Sequence, residues 1–135
     1  MRLAVLDTNV VVSAALQRLG PSAQIVWEAL EGRIKLVTCP LVIAEYREVV
    51  HRPRLVKKGL PPEWLDFLVD QSLQLPDPPA WPLAGPDPDD LVFLALAKHS
   101  GAVLVTGNLA DYPEAIWDAV QVLSPKAYWD GLAQG

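Results

Sequence analysis

The sequence has few cysteines, few histidines and no long apolar run, and these shortages exclude several classes of protein. The one cysteine, Cys39, cannot form a disulfide within the chain and argues against a cysteine-based metal site. His51 and His99 stand apart from other candidate ligands, which argues against zinc. The apolar runs are far shorter than the roughly 20 residues that a transmembrane helix needs. Arg2 leads straight into a strand-like segment without a secretory-leader pattern, so we expect a cytoplasmic protein.

Basic residues are also in the minority. The chain has 11 lysines and arginines against 16 aspartates and glutamates, for a net charge of −5. Proteins that bind nucleic acids without sequence preference usually present a basic surface, so this balance argues against such a binder. It does not exclude an enzyme whose carboxylates hold a metal ion while its basic residues lie elsewhere.

Apolar segments with strand and helix patterns alternate along the chain. Its 135 residues, 51% apolar and 20% charged, fit one globular domain over residues 1–135. The patterns predict strands at 3–6, 34–38, 102–106 and 120–123. They predict helices at 9–18, from the break at 20–22 to about 30, at 40–50, 62–73 and 91–100, and from 124 onward, with a proline-rich surface connection at 75–88. Because the strands are apolar throughout, they indicate a parallel sheet covered on both faces.

Carboxylates stand where such a sheet gathers functional groups, near the carboxyl ends of strands and on the helices that follow. The set comprises Asp7, Glu45, Asp87, Asp89, Asp90 and Asp111. Each member also has an ordinary interpretation. Asp7 can cap a helix, and Glu45 can be a solvated residue on a helix surface. The three aspartates at 87–90 can interact favourably with the N-terminus of the helix that follows, and Asp111 can belong to a surface turn.

Small polar residues surround two of these carboxylates. Both asparagines of the chain, Asn9 and Asn108, and two of its three threonines, Thr8 and Thr106, lie in the stretches DTN (7–9) and TGNLAD (106–111). Such side chains orient the ligands of hard cations. Two carboxylates about 4 Å apart repel by about 4 kcal/mol at an effective dielectric near 20, so converging carboxylates need protons or a cation. All-oxygen ligands suit Mg²⁺ or Mn²⁺.

Four stretches in this order and at this spacing resemble the PIN domain, and the resemblance covers essentially the whole chain. They are VLDTNVVVSAAL, CPLVIAEYREVVHRPRL, DPDDLVFLALAKHSGAVLVTGNLADY and VLSPKAY. The resemblance implies a three-layer α/β/α sandwich with a central mostly parallel sheet. It also implies a Mg²⁺- or Mn²⁺-dependent ribonuclease similar to VapC-type toxins, whose catalytic and metal-binding positions correspond here to Asp7, Glu45, Asp90 and Asp111. Asp90 is preferred to its neighbours because the family pattern places an aspartate three residues before an apolar helix position, here Phe93.

The remaining members of these motifs are expected to act as auxiliary residues around the metal. They are Thr8, Asn9, Asp87, Asp89, Thr106 and Asn108. The chain departs from the family at two positions, since many relatives carry aspartate where it has Leu91 and Asn108. These departures lower the local negative charge.

The expected partners are an RNA substrate, a cognate antitoxin and a second copy of the chain. A metal-activated water would hydrolyse a phosphodiester bond of the RNA. Basic residues cluster at 47–58 and form a candidate phosphate-contacting edge, for which an ordinary solvated helix end is the alternative: Arg47, Arg52, Arg54, Lys57 and Lys58. For a homodimer, Trp64, Phe67 and Leu68 are the candidate contact residues.

Two other functions remain open. Leu91 and Asn108 are compatible with a second hypothesis, a catalytically weak PIN-like module that binds RNA or protein. A phosphatase of the haloacid dehalogenase type also has an aspartate at a strand end, but it needs a second aspartate where this chain has Asn9. We therefore rank it third.

Overall fold

The computed structural model describes residues 2–56 and 63–134, and a five-stranded sheet forms its centre. In chain order, the strands are β1 (Arg2–Leu6), β2 (Ile34–Thr38), β3 (Leu73–Gln74), β4 (Val103–Val105) and β5 (Val122–Leu123). Their spatial order is β3-β2-β1-β4-β5, and every neighbouring pair is parallel. The expected α/β fold is therefore confirmed, and the described sheet is parallel throughout.

Helices complete a three-layer α/β/α arrangement. They are α1 (Thr8–Leu16), α2 (Pro21–Leu30), α3 (Pro40–Val50), α4 (Pro53–Val56), α5 (Glu63–Gln71), α6 (Leu91–Ser100) and α7 (Pro125–Gln134). Short 3-10 turns span Pro88–Asp90, Leu109–Asp111 and Glu114–Ile116. Within residues 2–56 and 63–134, no helix has both the length and the apolar character needed to cross a bilayer.

The central strands and α6 carry the most deeply buried part of the core. Ala4 and Val5 of β1 have no exposed surface, and neither do Phe93, Leu94 and Leu96 of α6. Helix α6 packs against β1, β2 and β4. Burial of each large apolar side chain contributes roughly 1.5–3 kcal/mol to the free energy of unfolding. This packing therefore holds β1 and α6 in place, and with them the residues that follow β1 and precede α6.

The order of the strands reverses at β1, since β2 follows on one side of it and β4 lies on the other. In open α/β sheets, the crevice at such a reversal, beyond the carboxyl ends of the strands, is the usual place for a functional site. Leu6 is paired with Val105, and the backbone N–H of Asp7 donates to the carbonyl of Val105 at 2.9 Å. The chain segments after β1 and β4 therefore leave the sheet side by side.

The structure differs from the sequence-based expectations around residues 53–74. The segment at Pro53 forms the short helix α4, and the helix predicted over 62–73 ends at Gln71. Leu73 and Gln74 instead pair with Val37 and Thr38 as an edge strand. A two-residue strand has too few positions to show a period, so the pairing with β2 decides its conformation. The predicted start of that helix, Pro62, lies outside the described residues.

Candidate metal centre

Asp7 stands immediately after β1 and is held by three side chains. Its Oδ2 atom accepts hydrogen bonds from Thr106 Oγ1 at 2.9 Å, Tyr112 Oη at 2.9 Å and Asn9 Nδ2 at 3.1 Å. Asp7 occupies the N-cap position of α1, but its side chain makes no capping hydrogen bond to that helix. Two of its three side-chain contacts, those with Thr106 and Tyr112, come from the segment after β4, which weakens the helix-cap interpretation.

Burial sets the charge properties of Asp7. Its side chain is only 3% exposed, and this desolvation raises its pKa. The hydrogen bonds from Thr106 and Tyr112 favour the carboxylate and oppose this rise, but the pKa stays above its ordinary value. The folded protein thus holds a costly buried acid next to β4.

The two polar stretches predicted at the strand ends are hydrogen-bonded to each other. Asn9 Oδ1 accepts from the backbone N–H of Gly107 at 2.8 Å. Within the second stretch, Thr106 Oγ1 accepts from the N–H of Asn108 at 3.0 Å. A Cβ atom on residue 107 would lie 3.1 Å from Asn9 Oδ1. Glycine therefore allows the close approach that joins the segments after β1 and β4.

Three carboxylates converge beside this network. Asp87, Asp90 and Asp111 each offer an oxygen, and these oxygens lie within 4.8 Å of one another. Asp87 and Asp90 are three residues apart around the 3-10 turn that precedes α6, a spacing that places side chains on one side. Asn108 Nδ2 donates to Asp111 Oδ2 at 2.7 Å and so orients the third carboxylate.

The convergence changes the acidity of Asp90. Desolvation, then the negative charge of Asp7 and a hydrogen bond with Asp111, raise its pKa to about 7. Near neutral pH, the cluster without a cation is therefore partly protonated. A divalent cation would replace this proton as the neutralising charge.

The structure brings together a different set of carboxylates from the one expected. Asp90 and Asp111 do meet, but their third neighbour is Asp87, for which only an auxiliary role was expected. Asp7 and Glu45 are not members of this group of converging oxygens. Both nevertheless belong to the same electrostatic site, because the charge of Asp7 raises the pKa of Asp90 and contributes to the raised pKa of Glu45. For Glu45, burial is the largest cause, and the charges of Glu48 and Asp89 contribute more than that of Asp7.

The other expected auxiliary residues divide into two groups. Asn9, Thr106 and Asn108 take part in the network, whereas Asp89 contributes its backbone N–H, which donates to Asp87 Oδ1 at 3.0 Å. The Oγ1 atom of Thr8 is buried and has no hydrogen-bond partner in the described ranges. An unpaired buried hydroxyl beside a carboxylate site indicates a polar group that a ligand or its water can satisfy.

Tyr112 is a member of the site that the sequence analysis did not select. Its side chain is 1% exposed, and its hydroxyl reaches Asp7 from the turn that carries Asp111. Its backbone carbonyl accepts a hydrogen bond from Trp117 Nε1 at 2.6 Å, which anchors this turn. The only sequence signal was its position next to Asp111, and an aromatic residue there is equally typical of a core position.

The basic stretch is split between two faces. Arg52 and Arg54 line a cavity that also includes Thr8 and Asn9. Arg47 Nη2 lies 3.7 Å from Asp66 Oδ1 of α5, and Arg47 borders a different cavity. Lys57 and Lys58 lie outside the described residues.

The apolar residues expected at a dimer contact are also separated. Phe67 is 67% exposed, whereas Leu68 is 3% exposed and belongs to the core. Trp64 is half-buried and packs against the core. The prediction that Leu68 is available for a contact is therefore wrong.

The donor set fits a hard divalent cation such as Mg²⁺ or Mn²⁺. The converging ligands are carboxylate oxygens, and the neighbouring groups are hydroxyls and amides. Together with the raised pKa of Asp90, this arrangement defines an acidic site at the carboxyl edge of a parallel sheet. This is the class of site that α/β proteins use for metal-assisted chemistry on phosphate esters.

Comparisons with known proteins assign the chain to a family. The family profile described as PIN domain matches residues 3–110, and the chain belongs to the PIN domain family. A search of curated protein sequences gave no significant match.

Solved structures share the fold. The chain is similar to VapBC2 from Rickettsia felis, in a crystal structure bound to a DNA fragment from its promoter, with 15% identity and a TM-score of 0.63 over 90% of this chain and 98% of that one. It is also similar to PAE2754 from Pyrobaculum aerophilum, with 17% identity and a TM-score of 0.59 over 100% of this chain and 91% of that one.

Proposed function

We propose that this protein is an endoribonuclease that uses Mg²⁺ or Mn²⁺ to hydrolyse phosphodiester bonds of RNA in the cytoplasm. The observation that carries the proposal is the convergence of Asp87, Asp90 and Asp111 beside the hydrogen-bonded Asp7. Membership of the PIN domain family supports the same chemistry. The second similar structure adds support for the fold alone.

The proposed roles follow from the positions of the side chains. Asp87, Asp90 and Asp111 would hold the cation, with Asp7 and Glu45 as the nearby acids that complete its surroundings. When bound, the cation would polarise the scissile phosphate and lower the pKa of a bound water. Thr106 and Tyr112 hold Asp7 in one orientation, and Asn108 does the same for Asp111. Asp90 would have to be ionised to serve as a ligand, so cation binding would be linked to the loss of its proton.

The test uses a fluorescently labelled single-stranded RNA incubated with Mg²⁺, with Mn²⁺ and with EDTA. We expect cleavage in the first two reactions and none in the third. The Asp7→Asn variant should lose most of the activity and keep the fold, as judged by circular dichroism. Cleavage that persists in EDTA would reject the metal mechanism, and a fully active Asp7→Asn variant would return Asp7 to a structural role.

Toxin–antitoxin membership is the biological context that we propose for this activity. The similar Rickettsia structure is a VapBC complex on promoter DNA, which supports a protein antitoxin as partner. Co-expression with the product of the neighbouring gene, followed by purification through a tag on one protein, should recover a complex with suppressed cleavage. Independent purification of two non-interacting proteins would argue against this pairing.

A catalytically weak binding module is the second candidate. It is favoured by Asn108, whose neutral amide bonds to Asp111 where many relatives carry another carboxylate. Leu91 also favours this alternative, because its half-buried side chain packs against the core and adds no charge. RNA binding without cleavage in either metal would select this alternative.

A further inference from the structure

A cavity of about 490 Å³ opens directly beside the candidate metal centre. Thr8 and Asn9 form part of its wall, and Asn9 is hydrogen-bonded to Asp7. The opposite wall comes from the end of α3 and the turn into α4, where Val49 and Leu55 contribute buried apolar surface. The cavity therefore adjoins the acidic site through Asn9, and the converging carboxylates are not part of its lining.

The lining combines three kinds of chemistry. Val12, Val49 and Leu55 are apolar, and Ser13 is polar. Thr8 also lines the cavity, and its buried Oγ1 atom lies beneath the surface without a partner among residues 2–56 and 63–134. Sites for small organic ligands share this composition, with apolar walls and a few polar groups, and occupy about 300–1,000 Å³. The volume is thus suited to one nucleotide unit.

Two guanidinium groups complete the lining. Arg52 and Arg54 both border the cavity. A planar guanidinium group can bind two oxygens of one phosphate through two parallel hydrogen bonds. Arg52 also lies 3.4 Å from Glu48, but this ion pair is exposed and therefore weak enough to exchange for a phosphate. In a chain with a net charge of −5, these arginines mark the side from which a polyanion can approach the acidic site.

We infer that this cavity is a nucleotide subsite for the RNA strand, next to the phosphate that is cleaved. Arg52 and Arg54 contact the phosphate of the bound nucleotide, while its base or ribose lies on Val12, Val49 and Leu55. The inference rests on the proposed ribonuclease function and deepens it, because it assigns substrate recognition to one half of the basic stretch. Arg47 is excluded from this role because it faces α5.

RNA binding tests the inference without requiring catalysis. The probe is a fluorescein-labelled single-stranded RNA of 12 nucleotides with random sequence, titrated with the full-length protein in EDTA and followed by fluorescence anisotropy. The Arg52→Ala/Arg54→Ala double variant should weaken binding about tenfold or more and flatten the dependence of log K on log salt by about 1.4, as expected for two lost phosphate contacts. Arg47→Ala is the matched control and should change the affinity less than twofold.

A second variant tests the cavity itself. Ser13→Phe fills the space without removing a charge, and it should weaken RNA binding while leaving the salt dependence unchanged. Equal losses for Arg47→Ala and for the double variant would overturn the subsite, because the effect would then be one of general charge. Normal RNA affinity in Ser13→Phe and in the double variant, with impaired antitoxin binding, would overturn it as well and assign the cavity to a protein partner.

The two proposals fail in different ways. Cleavage that depends on metal and is unaffected by the cavity variants would overturn the subsite and leave the ribonuclease intact. RNA binding that depends on Arg52 and Arg54 without any cleavage would support the subsite and reject the ribonuclease.

Discussion

Replacing Asp90 by asparagine should stabilise the metal-free protein at alkaline pH. Folding raises the pKa of this carboxyl group from 3.8 to about 7, first through burial and then through the charge of Asp7. The folded state therefore binds the proton more tightly than the unfolded state. Proton binding stabilises the fold below pH 3.8, and this contribution is lost as the pH rises towards and through 7.

The size of the effect follows from the pKa shift. About three pKa units correspond to an upper limit of about 4 kcal/mol. Asp90 is partly exposed and shares its proton with Asp111, so solvent screening reduces the expected loss to about 2 kcal/mol between pH 4.5 and pH 8. For a domain of this size, such a difference corresponds to a shift of about 6 °C in Tm.

Chemical denaturation at several pH values in EDTA measures this difference. Asp90→Asn should match the wild type at pH 4.5 and exceed it by about 2 kcal/mol at pH 8. Asp89→Asn is the control, because it removes the same formal charge from the same turn and its carboxylate is not one of the converging group. Addition of Mn²⁺ should stabilise the wild type and the control far more than Asp90→Asn.

If Asp90→Asn were less stable than the wild type at pH 8, burial and the repulsion among Asp7, Asp90 and Asp111 would not outweigh the favourable contacts of the Asp90 carboxylate. A small residual dependence on pH is expected in the variant, because burial also raises the pKa values of Asp7 and Glu45.

Three further predictions concern single contacts. Tyr112→Phe removes one of the three side-chain donors to Asp7 and should destabilise the protein by about 1.5–3 kcal/mol at pH 8 and by less at pH 4.5, measured by urea unfolding; equal losses at both pH values would mean that the hydroxyl does not favour the charged form of Asp7. Asp111→Asn should weaken Mn²⁺ affinity in calorimetric titrations more than Asn108→Ala does, since Asn108 orients the carboxylate that Asp111 supplies; the reverse order would make Asn108 the ligand. If the chain dimerises through its exposed α5 residue, Phe67→Ser should convert the dimer to a monomer in light scattering, and a wild type that is already monomeric at micromolar concentration would exclude that contact.

Outside residues 53–74, the succession of strands and helices was predictable from the sequence, and so was the edge of the sheet where the candidate site lies. Apolar strands that alternate with helices require a parallel sheet with both faces covered, and the structure has one. A carboxylate directly after β1 and a polar turn directly after β4 must meet if those strands are neighbours. The end of α6 was also predictable from the local sequence, because Gly101 adopts a left-handed conformation at φ 75° that favours glycine.

The convergence of particular side chains depends on tertiary packing. The spacing from Phe93 selected Asp90 among three aspartates, but it could not show that a 3-10 turn places Asp87 on the same side. It also could not show that the hydroxyl of Tyr112 reaches Asp7 from 105 positions away. Side-chain directions in irregular turns depend on how the turn is anchored to the core, and that anchoring has no period in the sequence. The division of the basic stretch has the same origin, since the packing of α3 against α1 and α5 decides which arginines face the cavity and which faces Asp66.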